Sequence, residues 1–129
     1  MADKSLAQKM VIKSGYRIAV INPPDNYRQL LGELPDDVEI IEGVDSESVD
    51  GVHLFVKDQA TLKRDAPNAI KVVKTDGLIW VSYPKKSSEV ETDISRDVGW
   101  EVINEAGLKP VTQVSVDETW SALRFKYKS

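Results

Sequence analysis

Apolar residues in this chain fall into short, nearly unbroken runs, each closed by proline, glycine or charge. Runs of that kind suit strands covered on both faces of a sheet. Tyr16 to Ile21 is the first, stopped by Asn22-Pro23-Pro24, because proline cannot donate to a ladder. Val38 to Ile41, Gly51 to Val56 and Leu78 to Tyr83 follow as the second, third and fourth strands. Pro110 to Val116 and Trp120 to Tyr127 are two more, and the short link Asp117-Glu118-Thr119 predicts an antiparallel hairpin.

Between the strands the period changes to that of helices. Residues 4–12 are expected to form a short helix or an arm with Leu6, Met10 and Val11 on one face, ended by Ser14-Gly15. Asp25 is the expected N-cap of a helix over 26–33, which buries Tyr27, Leu30, Leu31 and Leu34. A helical stretch from Lys57-Asp58 to Lys74 turns Ala60, Leu62, Ala66, Ala69, Ile70 and Val73 inward, and Pro67 is expected to split it. Thr75-Asp76-Gly77 reads as the turn into the fourth strand. Ile94, Val98, Val102 and Ala106 predict a helix over 94–106, flanked by Trp100 and Ile103, started by Thr92-Asp93 and stopped by Gly107. Residues 42–50 read as a solvated acidic loop.

This order of elements implies an α/β fold, a doubly wound and mostly parallel sheet in a Rossmann-like three-layer sandwich. The strand order expected is 2-1-3-4-6-5, with the C-terminal hairpin as an antiparallel edge. Residues 1–129 are read as one domain, with 1–14 as its N-terminal arm.

Composition narrows the function classes. The balance of 17 basic against 21 acidic residues gives a net charge of −4, which argues against nucleic acid or a membrane surface as partner. Without cysteine and with one histidine, thiolate chemistry and multi-histidine metal sites are excluded within one chain. No apolar run reaches the roughly 20 residues of a membrane span, and Met1 to Ser5 lacks a signal peptide's apolar core, so a cytoplasmic location is expected.

In an open α/β sheet the site is expected just outside the carboxyl ends of the strands. Lys85, Lys86, Ser87 and Ser88 follow the fourth strand there, with two cations and two hydroxyls able to hold a phosphate or carboxylate. Arg96 lies in the expected first turn of the 94–106 helix, and Asn22 and Asp25 end the first strand as polar partners across the crevice. No catalytic residue and no metal site are assigned. His53, inside a strand, is read as a hydrogen-bonded core residue, and Trp80, Trp100 and Trp120 as core or interface. Arg124 and Asp117, from the hairpin, are candidates to pair with Arg96 and Asp97.

Two resemblances add to this reading. Leu31-Gly32-Glu33-Leu34-Pro35, Tyr83-Pro84-Lys85-Lys86-Ser87-Ser88, Arg96-Asp97-Val98-Gly99-Trp100 and the run Asp117 to Phe125 resemble the hallmarks of a family of small bacterial proteins of unknown function. The layout, with Lys74-Thr75-Asp76-Gly77 before the fourth strand and a closing hairpin, resembles a shortened class I methyltransferase. That likeness would imply adenosylmethionine, yet Asn22-Pro23-Pro24-Asp25 stands where such enzymes carry a glycine-rich turn. Two prolines there add ring atoms and remove backbone donors that a cofactor needs. Glu42, after the second strand, is the candidate for ribose hydroxyls. No cofactor is expected, adenosylmethionine included. The leading expectation is a non-catalytic domain binding a small anionic or nucleotide-like ligand at the carboxyl edge. A protein-interaction module, as homodimer or with a foreign partner, and a methyltransferase-like enzyme are the alternatives.

Overall fold

A computed structural model describes residues 5–43, 48–95 and 98–128, and of Thr75 the backbone alone. Six strands form one sheet: β1 (Arg17–Ile21), β2 (Glu39–Glu42), β3 (Val49–Phe55), β4 (Val73–Pro84), β5 (Leu108–Ser115) and β6 (Trp120–Tyr127). Their order is β2-β1-β3-β4-β6-β5, as the sequence pattern implied. β1 to β4 run parallel, and β6 and β5 add the antiparallel edge. Among the described residues four helices cover it: α1 (Leu6–Lys9), α2 (Tyr27–Leu31), α3 (Gln59–Lys71) and α4 (Glu101–Glu105).

The sheet separates two apolar layers, because alternate residues of a strand face opposite sides. On one side Ala19, Val52, Leu54, Ile79, Val81 and Phe125 pack beneath α3 and α4. On the other, Ile18, Val20, Phe55, Trp80 and Trp120 meet Leu6, Met10, Tyr27 and Leu31 from α1 and α2. Trp80 is buried there, its Nε1 donating to the Met10 carbonyl at 3.2 Å, which ties the N-terminal segment to the sheet. Each such large side chain contributes roughly 1.5–3 kcal/mol by leaving water.

Several boundaries differ from the sequence expectation. The helix expected over 94–106 is only Glu101–Glu105: Gly99 has φ +103°, outside helical space, and Val98 is exposed. Asp93 does not start that helix. Its Oδ1 accepts from the Gln59 amide at 2.8 Å, beside Asp58, whose Oδ1 accepts from the Thr61 amide at 2.8 Å, so both carboxylates cap α3. Pro67 does not split α3, which continues through it to Lys71 while Leu62, Ala66 and Ala69 stay buried against the sheet; proline occupies the solvent side. Ala60 is exposed, not inward.

α2 is shorter than 26–33. Asn26, not Asp25, sits at its N-terminus, with no side-chain cap, and Gly32 at φ +73° ends it. In the N-terminal segment it is Ala7 and Ile12 that join Leu6 and Met10 inside, while Val11, past the end of α1, is exposed. Val49 and Asp50, read as loop, belong to β3; Asp50 accepts from the Arg17 amide at 2.7 Å and from Lys74 Nζ at 3.0 Å. Thr75-Asp76-Gly77 lies within β4, where pairing to β3 jumps from Val49↔Val73 to Gly51↔Leu78. No helix among the described residues is long and apolar enough to cross a membrane.

Candidate functional site

The strand order places the topological switch point between β1 and β3, since β1 leads outward to β2 while β3 leads away to β4. A cavity of about 410 Å³ opens at the carboxyl end of these two strands, with Pro23, Pro24, Phe55 and Trp120 as apolar walls and Lys57 and Arg64 as cations. Phe55 and Trp120 meet edge to face, ring centroids 5.0 Å apart, which holds the floor rigid. Lys57 lies one residue beyond the end of β3, after Val56, and is exposed, and among the described residues it makes no ion pair.

Asn22 shapes the mouth. It adopts φ +59°, a left-handed conformation that asparagine tolerates better than most residues. Its Nδ2 donates to the Phe55 carbonyl at 3.2 Å and to Asp65 Oδ2 at 2.9 Å, bridging the end of β1 to β3 and α3. Arg64 donates to the same carboxylate through Nε and Nη2 at 3.1 and 3.0 Å. Those bonds hold Asp65 below the usual carboxylate range against its partial burial, and the Asn22 bond adds to them.

Pro23 and Pro24 form a ridge, for they also wall a second cavity of about 410 Å³ on the β2 side, lined by Asp25, Tyr27, Arg28 and Glu42. Behind that wall lies a buried polar chain. Tyr27 Oη pairs with His53 Nδ1 at 3.0 Å, and His53 Nε2 with Ser82 Oγ at 2.5 Å. A neutral imidazole has one donor and one acceptor nitrogen, so one of the two hydroxyls donates to the ring and the other accepts from it. Desolvation pushes the His53 pKa down to about 3, and burial raises that of Tyr27. His53 also stacks on Phe55 at 4.3 Å and is the core histidine expected.

The loop after β4 lines a third, wide cavity of about 800 Å³ with Lys85, Lys86, Glu91, Thr92 and Asp93. It folds on itself: Ser88 donates its hydroxyl and its amide to the Lys85 carbonyl at 2.7 and 3.0 Å, and Lys85 Nζ donates to Ser115 Oγ at 2.6 Å. Ser87 and Lys86 are exposed. Asp58, Glu91 and Asp93 all border this cavity, so its carboxylates outnumber its two ammonium groups. The segments expected to face each other across one crevice therefore line separate cavities, with β3 between them and Asp58 bordering both. Asn22 and Asp25 are split by the proline ridge. Arg96 lies outside the described residues.

Sequence reasoning missed Phe55, Lys57, Arg64 and Trp120. Signals existed for Lys57, which follows a central strand next to the switch point, and for Trp120, an aromatic residue that begins the last strand. Arg96 and Asp97, the expected partners of Arg124 and Asp117, lie outside the described residues; Asp117 Oδ1 accepts from the Thr119 and Trp120 amides at 2.9 and 2.8 Å and closes the hairpin turn. Among the described residues no acidic and histidine side chains cluster as a metal centre would need.

The fold has many solved counterparts. An adenosylmethionine-dependent methyltransferase from Aquifex aeolicus is 11% identical, with TM-score 0.59, covering 93% of this chain and 86% of its own. DhpI, solved with SAH, is 10% identical at TM-score 0.63, covering 95% and 82%. The Bacillus subtilis tRNA methyltransferase TrmK is 9% identical at TM-score 0.58, covering 99% and 67%. At such identities the likeness is one of fold: a methyltransferase-type, Rossmann-like α/β sandwich with an antiparallel C-terminal hairpin. No curated protein matches the chain in sequence. The profile of a single family, described as proteins of unknown function and designated DUF3052, matches residues 24–129, and the chain belongs to that family.

Proposed function

We propose that this chain is a non-catalytic binding domain that takes a small anionic, nucleotide-like ligand in the crevice between β1 and β3. The observation that carries this reading is the cavity of about 410 Å³ at the switch point, with Phe55 and Trp120 for a planar group and Lys57 and Arg64 for an anion. The loop of Lys85, Lys86, Ser87 and Ser88 is proposed as a flanking surface, since the acid-rich cavity before it suits an anion less well. Asn22 is a positioning residue, and Asp25 faces whatever extends over the proline ridge.

The reading places the protein in the cytoplasm, where nucleotides are held, and needs neither cofactor nor metal, nor a nucleic-acid or membrane partner. Calorimetric titration with ATP tests it. Lys57→Ala is expected to weaken ATP binding on the order of tenfold, about 1.4 kcal/mol, and Lys85→Ala/Lys86→Ala to weaken it less, both with unchanged melting temperature. Equal affinity in all three proteins would sink the assignment.

A methyltransferase-like activity has the fold in its favour. Against it stands the proline ridge, which fills the position of a cofactor-cradling turn and removes two amide donors. An interaction module finds support in β5, an edge strand exposed from Lys109 to Gln113. Pro110 interrupts that edge, which weakens strand addition, and sedimentation of a concentration-independent monomer would remove self-association.

A further inference from the structure

At the opposite end of the sheet, β4 and β6 part company. Their pairing begins at Ile79↔Phe125, and before that point the strands diverge around a cavity of about 320 Å³ lined by Asp76, Gly77, Arg124, Lys126 and Tyr127. From Gly77 to Pro84 the strand spans about 23 Å at roughly 3.3 Å per residue, so this fork is remote from the carboxyl-edge crevice.

Two features of the fork are left uncompensated among the described residues. Lys109 and Lys126 are direct cross-strand partners, and the next same-face pair is Thr112 with Arg124. Like charges set opposite each other on a ladder destabilise it. Arg124 is also largely covered, and its Nε is shut off from solvent with no hydrogen-bond partner. A buried guanidinium N–H without an acceptor costs about 1–3 kcal/mol. Among the described residues no carboxylate pairs with Lys109, Arg124 or Lys126, although the chain as a whole is acidic.

We propose that this fork binds a small oxyanion, a phosphate ester or carboxylate, with Arg124 as its principal ligand. An oxyanion there would accept from Nε and a terminal guanidinium nitrogen in a planar two-point contact, and would separate the Lys109 and Lys126 charges. The cavity admits a small molecule and not a polymer. Asp76 stands exposed on the rim as the one acidic lining residue, and it opposes an anion by charge.

The test is a melting-temperature and amide NMR titration with inorganic phosphate, against sodium chloride at matched ionic strength. Saturable shifts at Gly77, Arg124, Lys126 and Tyr127, with stabilisation beyond that given by chloride, are expected. Arg124→Gln should weaken binding on the order of tenfold or more, and Asp76→Asn should tighten it at unchanged stability. If Arg124→Gln does not fold, Lys126→Gln carries the same expectation of weaker binding. The proposal is overturned if chloride and phosphate act alike, if the shifts fall elsewhere, or if neither variant that folds weakens binding. It is equally overturned if Asp76→Asn destabilises the protein without tighter binding, because Asp76 is then the guanidinium's own partner. A carboxylate arm with succinate separates the two ligand sources.

Discussion

Asn22 at the mouth of the crevice and His53 in the core behind it show how single residues shape this end of the sheet. Asn22 combines a left-handed backbone with two side-chain bonds that no other residue type supplies together. Asn22→Gly keeps the conformation and loses the bonds, whereas Asn22→Ala loses both. Chemical denaturation is expected to find the alanine variant less stable than the glycine variant by about 1–2 kcal/mol, the cost of a Cβ in left-handed space; equal losses would show the backbone conformation to be incidental. His53 is held neutral, with its folded pKa depressed from 6.5 to about 3. The unfolded chain therefore binds the extra proton first as pH falls. Stability is complete above pH 6.5 and declines from there toward pH 3. Urea midpoints measured across that window should fall more steeply for the parent than for His53→Gln, and parallel curves would contradict the assignment. Both roles depend on partners in β3, β4, α2 and α3, which is why the sequence showed His53 as a core residue and Asn22 as a polar candidate but not what either touches.

The elements differ in how openly the sequence announces them. Strands buried on two faces carry unbroken apolar runs, so the core of each sheet strand and the strand order were readable from Tyr16–Ile21, Gly51–Val56 and Leu78–Tyr83. Helices here are short and obey tertiary contacts more than propensity. The 94–106 stripe has helical spacing, yet Gly99 takes a left-handed φ and Asp93 leaves to cap α3. Asp93→Ala is expected to cost about 0.5–2 kcal/mol by freeing the Gln59 amide, with earlier hydrogen exchange at the start of α3. No change there would mean that Asp58 caps the helix unaided. Gly77 sits where β4 swings past β3, and a Cβ would lie 2.4 Å from Val73 Cγ1 and 2.6 Å from the Asp50 carbonyl. Gly77→Ala should lose about 1–3 kcal/mol by overpacking, and an unchanged unfolding midpoint would show that the excursion relaxes freely.

Over the whole molecule the fold is of the methyltransferase type. Pro23 and Pro24 form a ridge at the end of β1, and aromatic and cationic side chains gather at the switch point from β3, α3 and β6. The place of the proposed site was legible only as far as it follows from strand order. Its composition was not, since Lys57, Arg64 and Trp120 are far apart in sequence and meet only through the fold; the lysine-serine loop looked stronger because its charges are adjacent in sequence. The central claim is ligand binding at the switch point, and a two-dimensional amide titration with ATP, NAD and adenosylmethionine tests it most directly. Saturable shifts at Asn22, Phe55, Lys57, Thr61 and Trp120 with ATP or NAD are the predicted result. A folded protein whose amides at these positions stay unmoved by all three would contradict it.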